Sequence, residues 1–315
     1  MSIRSDATLV IDFGNTSSAA ALVSGGQSRL LPEPVSGSLS WPSAVYWDGR
    51  QMLIGTLAEH HRQRDPAGYG VDFKRGLGVD AVSRLGTHSF RAVEQVAAML
   101  TALRMEAERV EGGPVRRALI TVPASYAPGD PRRAWMIAAG EAAGFGAVEL
   151  LPEPVAAANA PVAGPGMAVG DLVLVYDLGG GTFDAALVRI GADVPEIIGH
   201  AAVDECGGRD IDLLLSRRIT ETGQDWLAPL TTADDATARR LSMAVTEFAQ
   251  QIKHQLSSAP SVEDYLMPSA PAFRLDQAEL AALSAPVLNR TVACCRQLLA
   301  RLDVPVADVA TVLLV

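Results

Sequence analysis

Lysine is nearly absent from this chain of 315 residues: of 26 basic side chains only Lys74 and Lys253 are lysine. Cysteine is scarce too, limited to Cys206 and the neighbours Cys294 and Cys295. Adjacent cysteines inside a helical pattern are a poor start for a disulfide framework or a zinc site, so all three read as packed, reduced thiols. The neighbours His60 and His61 point to different sides of a helix, have no partner at metal-ligand spacing, and read as solvated surface. Positive charge is in deficit, since 26 Lys+Arg against 36 Asp+Glu leave a net charge of −10. That balance excludes nucleic-acid or anionic-membrane binding driven by a basic face. No apolar run approaches the roughly 18 residues of a spanning helix, and residues 1–6 lack the plan of a signal peptide. The chain reads as cytoplasmic, without a membrane partner. It also lacks the GxxxxGK[ST] phosphate loop.

What is present is a well-buried α/β composition, 49% hydrophobic and 20% charged, at a length that allows about two domains. Within it, the apolar run LVLVY at 172–176 ends on Asp177, three glycines and a second apolar run, TFDAALVRI. An ionised carboxylate at the tip of a buried strand loses hydration unless a cation or donor replaces it. Gly179, Gly180 and Gly181 let main-chain N–H groups form an anion-binding nest. The pattern predicts a glycine-turned hairpin that places a cation site beside an anion site. Residues 8–23 repeat the plan, with Asp12 at the strand tip and Gly14-Asn15-Thr16 in the turn. Two such hairpins predict two related lobes facing each other across a cleft, each offering a carboxylate and a phosphate turn.

Between and beyond the hairpins, a Pro/Ser/Gly-rich loop leads to a strand near 43–47. Apolar spacing predicts a helix from about Phe90, within a helical and loop-rich segment that runs to about Glu111. Residues 117–123 read as a buried strand ended by Pro123, and 130–143 as a helix stopped at Gly144. LLPEPVAAANA reads as a strand turning into a helix, with Pro154 at the first helical position and Glu153 beside the positive end of the helix dipole. A linker at 161–171 precedes the second hairpin. Helices are predicted after Gly207-Gly208, over 241–256 and over 277–302, with loop and weak strand over 257–271. Residues 311–315 read as a central strand with a turn to follow, so the natural chain is expected to continue past Val315.

These segments together resemble the nucleotide-binding domain of the DnaK-type chaperones, the seventy-kilodalton heat-shock family of the actin-like ATPase superfamily. DLGGGTFD and VIDFGNTSS are similar to that family's two phosphate motifs, and ITVPASYAPGDPRRAWMIAAGEAAGF and LLPEPVAAANA to its two connecting segments. VDFKRGLG and GGRDID match further family segments. The resemblance runs from Thr8 to Val315, and both lysines fall where the family keeps a lysine at its ATP site.

The resemblance implies an α/β, two-lobed actin-like (ribonuclease-H-like) ATPase fold, each lobe a mixed sheet with flanking helices and a smaller subdomain. The implied boundaries are 1–167 for lobe I, with core 1–36 and 112–167 and small subdomain 37–111. Lobe II is 168–315, with core 168–208 and 286–315 and small subdomain 209–285. The implied ligands are ATP or ADP and Mg²⁺, with K⁺ as an option beside it. Asp12, Asp177 and Asp184 surround the Mg²⁺, largely through water. The turns Gly14-Asn15-Thr16 and Gly179-Gly180-Gly181-Thr182 hold phosphate oxygens. Lys74 stabilises the attacking water and the γ-phosphate charge, Glu153 and Asp184 orient that water, and Thr182 adds its hydroxyl. Gly207, Gly208, Lys253, His254 and Ser257 line the ribose and adenine pocket. Pro123 and Arg133 match elements that pass the nucleotide state to a substrate-binding domain.

The chain also departs from the family. Asn15 stands where threonine is usual, Ser17 where an aromatic or small polar residue is usual, Gln250 for an acid reaching the ribose, His254 for an arginine stacking on adenine, and Arg209 for an acid after the double glycine. Each lost charge-assisted contact is worth about 1.5–3 kcal/mol when well formed, so weaker nucleotide binding is expected. The resulting expectation is a slow, Mg²⁺-dependent chaperone ATPase, monomeric, with co-chaperones and unfolded client proteins as partners. A nucleotide-gated interaction module with little turnover, or another actin-like protein such as a sugar kinase or a filament-former, stand as alternatives.

Overall fold

The computed structural model describes residues 7–79, 82–160, 166–231, 235–268 and 270–315, though not the side chains of 229–231, 235, 236 and 239. The sequence readings of residues 1–6 and of linker residues 161–165 lie outside them. Strand β1 (Thr8–Phe13) shows how the chain is divided. Leu9, Ile11 and Phe13 are fully buried, while Val10 and Asp12 take the opposite face, as the two-residue period of a strand requires.

β1 pairs antiparallel with β2 (Ser17–Ser24), which also pairs with β3 (Gln27–Leu30) and the short β4 (Trp41–Pro42). A smaller region follows: β5 (Ala44–Trp47), β6 (Met52–Ile54), α1 (Thr56–Glu59), β7 (Tyr69–Val71), the hairpin β8 (Val82–Leu85) and β9 (His88–Arg91), and α2 (Ala92–Glu111). The helix predicted from Phe90 is thus preceded by a strand that the apolar spacing did not reveal. Val96, Met99, Leu100 and Leu103 of α2 are fully buried in one core with Leu9, Ile11 and Phe13 of β1. Burial of each such side chain contributes about 1.5–3 kcal/mol. His61, expected on the solvated surface, is half-buried and stacks on Tyr46 with ring centroids 4.1 Å apart. A flat imidazole gains more on that aromatic face than in water.

The first sheet is completed by β10 (Arg117–Val122) and β11 (Ala147–Pro152), giving the order β11-β10-β1-β2-β3 with β1, β10 and β11 parallel. Between them lies α3 (Pro131–Ala142), whose start is set by Asp130: its carboxylate accepts from Arg132 N at 2.8 Å, with proline in the first turn. Gly144, at φ 94°, ends the helical run as expected. α4 (Glu153–Asn159) then crosses to the second half, where Ala158 packs with Val173, Val175, Ala186, Val188 and Leu313.

The second half contains β12 (Leu172–Leu178), β13 (Thr182–Arg189), β14 (Glu196–Asp204), α5 (Gly208–Thr222), α6 (Gln224–Thr231), α7 (Asp235–Gln255), β15 (Ser261–Asp264), β16 (Phe273–Asp276), α8 (Gln277–Arg301) and β17 (Val309–Leu314). Its main sheet has the order β14-β13-β12-β17. α8 is started by a reciprocal cap, in which Asp276 accepts from Glu279 N at 2.8 Å and Glu279 accepts from Asp276 N at 3.0 Å. Cys206, Cys294 and Cys295 are buried and unbridged, packed with Phe183 and Leu298. Among the described residues β17 pairs in parallel with β12, and its Val312 and Leu314 are exposed. An apolar run fixes β character; what lies on its far side is set by tertiary context. Among the described residues no helix is long and apolar enough to cross a membrane.

Candidate functional site

Strand alternation aims the chemistry. On β1 the face that carries Val10 and Asp12 lines a cavity of about 460 Å³ between the two halves. Asp177, near the end of β12, is the cross-strand partner of Asp184 on β13, so the two carboxylates stand side by side on the wall opposite. Gly14, Asn15, Thr16, Gly179, Gly180, Thr182, Lys74, Glu153, Thr121 and Pro123 are also among the lining residues. A second cavity of about 280 Å³ opens on the far side of Lys74, Thr182 and Asp184, beside Arg75 and Arg132. The carboxylate–ammonium centre is therefore reached from two directions.

Lys74 is held rigidly. It is almost fully buried, donates to the Phe13 carbonyl and pairs with Glu153 Oε1 at 2.9 Å. Burial works against its charge, but the Glu153 carboxylate outweighs that, and the net effect holds its pKa above the usual lysine value. The carboxylates show the opposite strain. Burial, then the charges of Glu153, Asp184 and Asp12, push the Asp177 pKa up to about 7, with Lys74 opposing. Asp184 is raised to about 6, again by burial first and Glu153 second. One ammonium cannot balance four carboxylates in this cleft.

Thr121, which sequence reasoning did not select, organises the first carboxylate. Its hydroxyl donates to Asp12 Oδ1 at 2.7 Å and accepts from Phe13 N at 3.1 Å. A hydroxyl inside the otherwise apolar stretch of 118–122 was the available signal. The two turns also touch: a Cβ on Gly180 would fall inside the van der Waals radius of Thr16 Oγ1. Only glycine allows this approach. Behind the second turn, Gly208 N donates to Gly179 O at 2.9 Å and Arg209 N to Gly180 O at 2.7 Å, so the start of α5 fixes its shape. A Cβ on Gly207 would lie 2.6 Å from Gly179 O and from Gly181 N.

Of the residues expected at a nucleoside, Lys253 reaches the double glycine. Its Nζ donates to Gly208 O at 3.0 Å and pairs with Asp212 at 2.7 Å. His254 and Ser257 are exposed at the end of α7 and form no part of the cavity between the turns. Pro123 lines that cavity, and Arg133 donates from α3 to the Tyr126 carbonyl at 3.1 Å.

The donor set fits a hard divalent cation carrying a polyanion. It offers only oxygen ligands, burial and uncompensated negative charge lift two of its carboxylate pKa values, and its glycine turns leave no room for side chains. Among the described residues no three His, Cys, Asp or Glu side chains converge as a direct ligand shell. Such an ion suits this site by keeping its waters, which the carboxylates then hold. The Asn15 side-chain carbonyl is buried without a hydrogen-bond partner at the same place, as befits a polar group whose partner is a ligand or its water.

The family model described as Hsp70 protein matches residues 81–315. A chaperone protein HscA homolog of Shewanella amazonensis is 31% identical, in an alignment that covers 97% of this chain and 51% of that protein. The chain thus spans about half the length of the curated relative it matches. With two facing hairpins, a buried lysine between them and a match across most of its length, the chain belongs to the Hsp70 family.

Proposed function

We propose that this chain binds ATP or ADP with Mg²⁺ in the cleft and hydrolyses ATP slowly, the nucleotide state setting how its two lobes close. The single observation that carries the reading is that Lys74, Glu153, Asp12, Asp177 and Asp184 line one cavity together with both glycine-rich turns. The lobes are those expected from sequence, 1–167 and 168–315. Bound Mg²⁺ supplies neutralisation of phosphate charge, with K⁺ an option beside it. Asp12, Asp177 and Asp184 hold the water shell of that ion. Main-chain N–H groups of Gly14, Asn15, Thr16 and of Gly179, Gly180, Gly181, Thr182 bind phosphate oxygens, and the Thr182 hydroxyl adds a donor. Lys74 places positive charge at the terminal phosphate, and Glu153, fixed by its ion pair with Lys74, accepts a hydrogen bond from the attacking water together with Asp184. Positioning and charge stabilisation carry most of phosphoryl transfer, so no covalent nucleophile is needed. Gly207, Gly208, Lys253, His254 and Ser257 are assigned to the nucleoside. Pro123 and Arg133 relay the state to a substrate module, with co-chaperones and unfolded client proteins as partners.

A second reading, a nucleotide-gated module with negligible turnover, is favoured by Asn15, a carboxamide where a threonine hydroxyl is usual, whose buried side-chain carbonyl has no partner. Single-turnover phosphate release from Mg²⁺-ATP separates the two. The enzyme reading expects release by the parent chain and a loss of about 10² to 10³ in Lys74→Ala, the scale of removing one transition-state donor. Equal release by parent and variant, with nucleotide bound in both, establishes the module instead.

A further inference from the structure

Arg209 is anchored twice, and neither anchor is used by the hydrolysis proposed above. Its main-chain N–H donates to Gly180 O at 2.7 Å, inside the second phosphate turn. Its guanidinium leaves its own half of the molecule and meets Asp72 in the other, as a bidentate pair with Nη1 on Oδ2 and Nη2 on Oδ1 at 2.7 Å. Nη2 also lies 3.4 Å from Thr16 Oγ1, in the first phosphate turn. One residue therefore touches both turns and the opposite lobe.

Asp72 is placed to matter. It adopts left-handed backbone at φ 61°, a conformation that aspartate tolerates better than most residues, and it opens the 3₁₀ turn Phe73–Gly76 that carries Lys74. A clamp on Asp72 thus restrains the backbone two residues before the buried lysine. The pair is neither fully solvated nor fully buried, with side chains 39% and 29% exposed. In that regime a planar, two-point guanidinium–carboxylate contact holds geometry that a point charge cannot. Another hydrogen bond between the halves, Gln63 Nε2 to Glu247 Oε2 at 2.7 Å, lies on exposed surface and restrains less.

We propose that Asp72 and Arg209 are an inter-lobe positioning pair that keeps Lys74 registered against the second phosphate turn and must break before nucleotide leaves between the turns. The proposal rests on the reading of the cleft as an ATP site. Its test uses the full chain with Asp72→Asn, Arg209→Gln and the double variant. Two rates are read: stopped-flow release of a fluorescent ATP analogue, and single-turnover hydrolysis of prebound ATP. Each single variant is expected to release the analogue about tenfold faster and to hydrolyse more slowly by a similar factor, on the scale of losing one charge-assisted contact. The double variant should be no worse than either single, because the partners act as a unit, and Arg209→Lys should recover part of both rates. A merely structural role lowers the thermal midpoint without moving hydrolysis per bound nucleotide. Singles that stay within twofold of the parent, or a double variant that multiplies the two losses, overturn the pair while leaving the ATP site standing. A parent chain that takes up no analogue overturns the ATP reading and this proposal with it.

Discussion

Replacing Asp177 with asparagine tests the charge crowding in the cleft without any ligand. In the folded chain burial and the neighbouring Glu153, Asp184 and Asp12 raise this carboxyl from 3.8 to about 7. Between those pH values the folded state keeps a proton that the unfolded chain has shed, so stability falls as pH rises through the window and levels off above it. About three pH units at 1.36 kcal/mol each set a ceiling near 4 kcal/mol. The charge is shared with Asp184 and partly hydrated, which brings the expected destabilisation to about 2 kcal/mol at pH 8. Asp177→Asn is nearly isosteric and removes it. Metal- and nucleotide-free parent and variant are compared by urea denaturation at pH 4.5, 6 and 8, in EDTA. The variant should exceed the parent by only about 0.5 kcal/mol at pH 4.5 and by about 2 kcal/mol at pH 8. A stability difference independent of pH, or a variant weaker than the parent at pH 8, refutes the reasoning.

Further outcomes follow from particular contacts. Gly180→Ala forces a Cβ onto Thr16 Oγ1; overpacking of about 1–3 kcal/mol should weaken ATP binding about tenfold, and adding Thr16→Gly should restore most of it in a titration. Thr121→Val keeps the shape but strands Asp12 Oδ1 and Phe13 N, now bonded at 2.7 and 3.1 Å; a loss of about 1–2 kcal/mol is expected by urea denaturation, with Thr121→Ser recovering half or more.

The hairpins were legible because their signals are local. A period-2 apolar run, a carboxylate and glycines set both the strand and the residue at its tip, and the Gly179–Gly181 turn puts Asp177 opposite Asp184 by register alone. Caps were legible for the same reason, as at Asp130 and Gly144. What stayed hidden depends on the other half of the molecule. Asp72 and Arg209 lie 137 residues apart and each alone is an ordinary surface charge. Thr121 acquires its role only where β10 lies beside β1. The stacking of His61 on Tyr46 is likewise decided by a neighbour that composition cannot name. Lys253 on α7 meets Gly208 at the start of α5 only because the two helices pack together, which no local pattern states.

The central claim is that two facing acidic strand tips and two glycine turns hold one Mg²⁺-bound triphosphate. Calorimetric titration of ATP into the parent chain and into Asp12→Ala/Asp177→Ala, each with Mg²⁺ and with EDTA, tests it most directly. The account predicts one site per chain in the parent, weakened at least tenfold by EDTA, and no such Mg²⁺ dependence in the double variant. Equal affinity in all four titrations contradicts it.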